Sequence, residues 1–198
     1  MNTTSTRRPR RGPSRMPRRG LAASVAAAAV IAALGVVPAV AGASGASAAP
    51  YCGITWGSLA KTAAPMVAGP VTGVRSGRHD CYDRLVIDLK GTAPGYDVRY
   101  VTNVHTEGQG TVVPLRGGAK LQVVVRAPAS GTGAYIPANP KELVNVAGYQ
   151  TFRQVAWAGS FEGQTTIGLG VRARLPFEAF TLTDATGSRL VIDVAHAW

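Results

Sequence analysis

Few residues of this chain have the type and spacing that catalysis needs. Its histidines are His79, His105 and His196, with no H-E-x-x-H pattern and no pair at helical spacing. His79, Asp80 and Asp83 bring an imidazole and two carboxylates close together, donor types that hold metal ions. A polar turn ahead of a strand has the same composition. Ser160, between Gly159 and Phe161, is a nucleophile only if a base is brought to it, and no G-x-S-x-G elbow stands in the mature chain. Glu162 and Glu178 are candidates for an acid pair whose separation the sequence leaves open. No catalytic residue, metal ion or cofactor is therefore expected.

Binding has better material. Arg84-Leu85-Val86-Ile87-Asp88 recurs letter for letter as Arg189-Leu190-Val191-Ile192-Asp193. In an extended strand, Arg and Asp four residues apart share a face at about 13 Å, too far to pair with each other. Across an antiparallel neighbour, each Arg can meet an Asp. The four charged residues Arg84, Asp88, Arg189 and Asp193 are thus either a structural cross-strand pairing device or a polar recognition face. Arg172 and Arg174 follow Gly168 and Gly170 with the same parity, so an uncovered backbone strip beside positive charge is expected there. Trp157, Tyr135 and Tyr149 are aromatic candidates for packing against sugar faces. Trp157 shares its parity with Val155, which equally suits a core position.

These residues must be positioned by strands. Leu85, Ile87 and Leu89 alternate with Arg84, Val86 and Asp88, and the same period of two runs through Tyr96–Tyr100, Leu121–Val125, Ile167–Val171 and Leu190–Val194. Glycine-rich turns separate them, as at Gly91-Thr92-Ala93-Pro94-Gly95 and Thr186-Gly187-Ser188. The pattern predicts an all-β fold, an antiparallel β-sandwich of about eight or nine short strands with two related halves. Ala127–Gln150 breaks the rhythm with three prolines and three glycines, and only Glu142–Val146 has any helical character. So long a loop is either a crossover between sheets or functional.

The first part of the chain reads as a targeting segment. Seven arginines precede residue 20, Leu21–Val40 is uncharged and rich in alanine and valine, and Ala46-Ser47-Ala48 supplies small residues at a cleavage site. That order is a secretory signal peptide, residues 1–48, cleaved after Ala48, with membrane contact only during export. Arg18-Arg19 leaves both Sec and twin-arginine export open. In an oxidising compartment Cys52 and Cys81, an even count, are expected to pair. Closing that loop of about 30 residues would contribute roughly 3.6 kcal/mol in the chain-entropy model. It would tie residues 49–69 to the domain at 70–198. The net charge of +11 comes from 21 basic and 10 acidic residues. Without the seven leading arginines, 14 basic residues face the same 10 acids, a net of +4, so no nucleic-acid partner is expected.

A family resemblance joins these features. Val71-Thr72-Gly73-Val74-Arg75, His79-Asp80, Tyr82–Ile87, Pro94–Val101, Ala158–Gly163 and Arg189–Val194 together resemble the bacterial AMIN-like domain, a relative of the AMIN domain found beside murein amidases and secretin-type envelope proteins. The resemblance implies a β-sandwich with matching motifs on its two sheets and a role in targeting peptidoglycan. The resulting expectation is a secreted or wall-associated, non-catalytic module that binds peptidoglycan or a cell-wall protein. Two other readings stay open: a protein–protein accessory of a wall-bound complex, and a small secreted hydrolase.

Overall fold

The computed structural model describes residues 49–198, so the expected signal peptide lies outside the described residues. A short 3-10 turn at Tyr51–Gly53 leads into eleven strands. They are β1 (Lys61–Ala63), β2 (Val71–Arg78), β3 (Tyr82–Leu89), β4 (Tyr96–Val101), β5 (Val104–His105) and β6 (Val112–Val113). β7 (Ala119–Val125), β8 (Phe152–Phe161), β9 (Gln164–Val171), β10 (Phe177–Asp184) and β11 (Gly187–Ala195) complete the set. The count exceeds the expected eight or nine because β1, β5 and β6 have only two or three residues each, too few to display alternation.

A five-stranded sheet, ordered β1-β4-β7-β9-β8, packs on a four-stranded sheet, ordered β10-β11-β3-β2, and all strand pairs are antiparallel. Period two decides which side chains meet between them. Leu85, Ile87, Leu190 and Ile192 from the smaller sheet are fully buried against Val98, Leu121, Val123, Ile167 and Leu169 from the larger. Each such side chain contributes about 1.5–3 kcal/mol of burial. Phe152 and Phe177, at the starts of β8 and β10, fill the largest volumes.

The repeated pentapeptides form β3 and β11, neighbours in the same sheet rather than one in each. Their register sets Arg84 opposite Asp193, Val86 opposite Val191 and Asp88 opposite Arg189. A pentapeptide that begins with Arg and ends with Asp matches its own reverse, so the pairing has a local twofold axis at Val86 and Val191.

The long connection from β7 to β8 contains no helix. It pairs instead with one edge strand of each sheet, β2 and β8. Val71 N–H donates to Pro128 and Tyr135 N–H to Val71 on β2, both at 2.8 Å. On β8, Leu143 N–H donates to Val155 at 2.8 Å, and Trp157 N–H to Pro140 at 2.7 Å. The loop thereby covers edges that would otherwise present unpaired backbone groups.

A second small cluster of Val104, Val113, Ala156 and Ala158, with Leu115 against it, places the β5–β6 hairpin over the outer side of the five-stranded sheet. The expected open strip at Gly168 and Gly170 is therefore covered. A Cβ on Gly168 would lie 2.7 Å from Leu115 Cδ1, and one on Gly170 2.0 Å from the Arg116 carbonyl oxygen. Gly170 is there because the Arg116 backbone passes directly above it, and Gly168 because the Leu115 side chain packs down onto it. Thr166 beside them is buried and donates its hydroxyl to Glu107.

Candidate functional site

On the outer side of the four-stranded sheet, the alternation that buries the leucines turns Arg84, Val86 and Asp88 of β3 and Arg189, Val191 and Asp193 of β11 outward. Arg84 Nε and Nη2 donate to Asp193 Oδ1 and Oδ2 at 2.7 and 2.6 Å, the bidentate geometry of the strongest Arg–carboxylate pairs. The Asp193 side chain is only 2% exposed, so its charge depends on that partner. The Arg84 guanidinium also lies over the rings of Tyr82 and Phe180, at 5.3 and 5.8 Å. Glu178 stands opposite Asp193 on β10. Burial raises its carboxyl pKa above the ordinary value, the Asp193 charge raises it further, and Arg84 and Lys61 oppose the shift.

The second pair offered by the register does not close. Asp88 instead accepts from Arg75 Nε and Nη2 of β2 at 2.8 and 3.0 Å, and Arg189 pairs with Asp184 of β10. The residue opposite Asp88 on β2 is Gly73, which has no side chain, so the carboxylate can turn toward Arg75, two residues along on the same face. Between the parted residues lies a cleft of about 250 Å3, lined by Arg75, Asp88, Asp184, Arg189, Thr72 and Thr186. Three Arg–Asp pairs thus span four strands. In the row through the axis, Phe180, Val191, Val86 and Arg75 stand side by side, with the two valines buried.

The other candidates are elsewhere. Arg172 donates to the His196 carbonyl and holds the last strand's end. Arg174 donates to Ser58 Oγ and to the Ser58 carbonyl at 3.1 and 3.0 Å, and lies 4.9 Å over the Tyr100 ring, holding the N-terminal segment. Trp157 is half-buried at the core's margin, 6.0 Å from Tyr135. Tyr149 stacks on Phe152 and shares a hydrogen bond with Ser76. Ser160 Oγ accepts from Ala129 N–H and donates to the Gln164 carbonyl, which makes it a brace for the β8–β9 turn. Glu162 occupies that turn at φ 48°, on the other sheet from Glu178.

His79 stacks on Tyr82 at 4.6 Å, whereas Asp83 points inward. The buried Asp83 carboxylate accepts from Thr151 and Phe152 N–H at 2.6 and 2.9 Å and contacts His196 Nε2 at 3.2 Å. Among the described residues, no three His, Cys, Asp or Glu side chains stand together in a metal-holding arrangement. The Asp83–His196 contact escaped the sequence reading, yet parity contained it. Asp83 shares the inward face with Leu85, and His196 with Ile192 and Val194. Arg75 and Asp184 escaped because a diagonal partner depends on side-chain direction, which spacing does not encode. The expected Cys52–Cys81 disulfide is formed, with the Cα atoms 6.1 Å apart.

The structure is a disulfide-tied antiparallel β-sandwich with three Arg–Asp pairs on the outer face of one sheet. More closely, the chain belongs to the AMIN-like domain family, whose model matches residues 69–196. That membership points to a module of the cell envelope. Comparison with curated proteins and with solved structures finds no significant match.

Proposed function

We propose that this protein is an exported, non-catalytic cell-envelope module that binds the glycan strands of peptidoglycan on the outer face of its four-stranded sheet. One observation carries the reading: Asp88 and Arg189, opposed in register, part over a cleft instead of neutralising each other. A sugar hydroxyl both donates and accepts. A carboxylate beside a guanidinium meets both needs. Outside the cleft, farther along the same sheet face, the Phe180 and Tyr82 rings beside Arg84 suit the apolar faces of a sugar. Ser160, weighed as a nucleophile, and Asp83, weighed as a metal ligand, are both engaged with backbone groups.

Export through a signal peptide at 1–48 fits the disulfide, which forms in oxidising compartments. N-terminal sequencing of the extracellular protein should begin at Ala49, and a start at Met1 would contradict cleavage. Co-sedimentation with purified sacculi tests the binding itself. The protein is expected in the wall pellet, and its complete retention in the supernatant at low salt would overturn the proposal. Capture of another envelope protein without wall binding would favour an accessory role instead.

A further inference from the structure

The loop that covers β8 builds a second site on the other sheet. Between the loop and the start of β8 lies an open cleft of about 680 Å3. That size is typical of small-ligand pockets. Arg116 and Arg153 line it, together with Glu142, Val146, Tyr149 and Phe152. Both guanidinium groups are fixed in place by main-chain carbonyls. Arg153 Nη1 donates to the Tyr149 and Phe152 carbonyls at 3.2 and 2.8 Å, and its Nη2 donates to Gln150 at 3.1 Å. Arg116 Nη2 donates to the Arg153 carbonyl at 2.9 Å, while Nη1 meets the Glu142 carboxylate.

Two cations in the cleft thus face one carboxylate. A guanidinium has five N–H donors, so each arginine keeps hydrogen-bonding capacity after these contacts. Glu142 shows that a carboxylate seats well against Arg116. The apolar part of the lining, Val144, Val146 and Ala147 beside the Tyr149 ring stacked on Phe152, suits a small aliphatic group next to that carboxylate.

We infer that this cleft binds the C-terminal carboxylate of a peptide whose last side chain is small and aliphatic, with Arg116 and Arg153 as the anion-binding fork and Glu142 as a built-in competitor. The wall-binding proposal bears on this inference only through the source of the peptide, since both wall peptides and protein C-termini have such an end.

The test is titration of the intact exported protein with N-acetyl-alanyl-alanine, in the D,D and L,L forms and with the C-terminus amidated. Saturable binding of a free acid is expected, with the D,D form tighter if wall peptides are the source and the L,L form tighter if protein termini are. Arg116→Ala should weaken binding by about tenfold or more, the scale of a lost charge-assisted hydrogen bond. Glu142→Gln should tighten it several-fold. The inference is overturned if neither acid binds the Glu142→Gln variant, or if the amide binds as well as the acid. Sacculus binding that persists without dipeptide binding defeats this inference alone. Dipeptide binding without sacculus binding defeats the glycan proposal alone.

Discussion

Arg84 and Arg189 occupy the same place in identical pentapeptides, yet their environments make them different residues. Arg84 answers an aspartate that is 2% exposed, whereas Asp184, the partner of Arg189, is 42% exposed. Replacing Arg84 by Ala strands the Asp193 charge beside Glu178 and should cost on the order of 3 kcal/mol, the scale for uncovering a buried charge. Replacing Arg189 by Ala removes a solvated pair, for which about 0.2–1 kcal/mol is usual. Urea denaturation of the two variants checks this, and equal losses would contradict it. Glu178 gives a pH signature. Its folded pKa is raised, first by burial and then by Asp193. Between its ordinary and its raised value the folded state holds more protons than the unfolded one. Stability therefore falls as pH rises through that interval. Glu178→Gln should raise the melting temperature at neutral pH, and the gain should vanish in acid below the ordinary carboxylate range.

At the scale of elements, what could be read from the sequence followed from period two. β3 and β11 were visible because their leucines and isoleucines alternate with charge, and the repeat even predicted that an Arg would meet an Asp across strands. β1, β5 and β6 were not visible, since two or three residues carry no periodicity. That hidden β5–β6 hairpin is what reversed the reading of Gly168 and Gly170. Their absent side chains looked like an open surface, but they admit the 114–118 segment. Gly170→Ala puts a methyl 2.0 Å from the Arg116 carbonyl oxygen in the unrelaxed structure. Displacing that segment should cost about 1–3 kcal/mol, as overpacking does. A thermal melt that matched the parent would refute the close packing.

For the whole molecule, the sandwich and its disulfide were legible, but the candidate site was so only in part. The repeat identified one face, whereas Arg172, Arg174 and Trp157 turned out to hold the chain's ends and the core's margin. Two charged residues in register need not pair, and here a glycine on the adjacent strand diverts Asp88. That diversion leaves the unclosed pair on which the functional account depends. The direct test is sacculus co-sedimentation of a variant carrying both Asp88→Asn and Arg189→Ala, with its melting temperature measured in parallel. The account predicts a fold stability within about 2 kcal/mol of the parent, as for two exposed pairs, together with a large loss of wall binding. Undiminished wall binding by the folded double variant would contradict it.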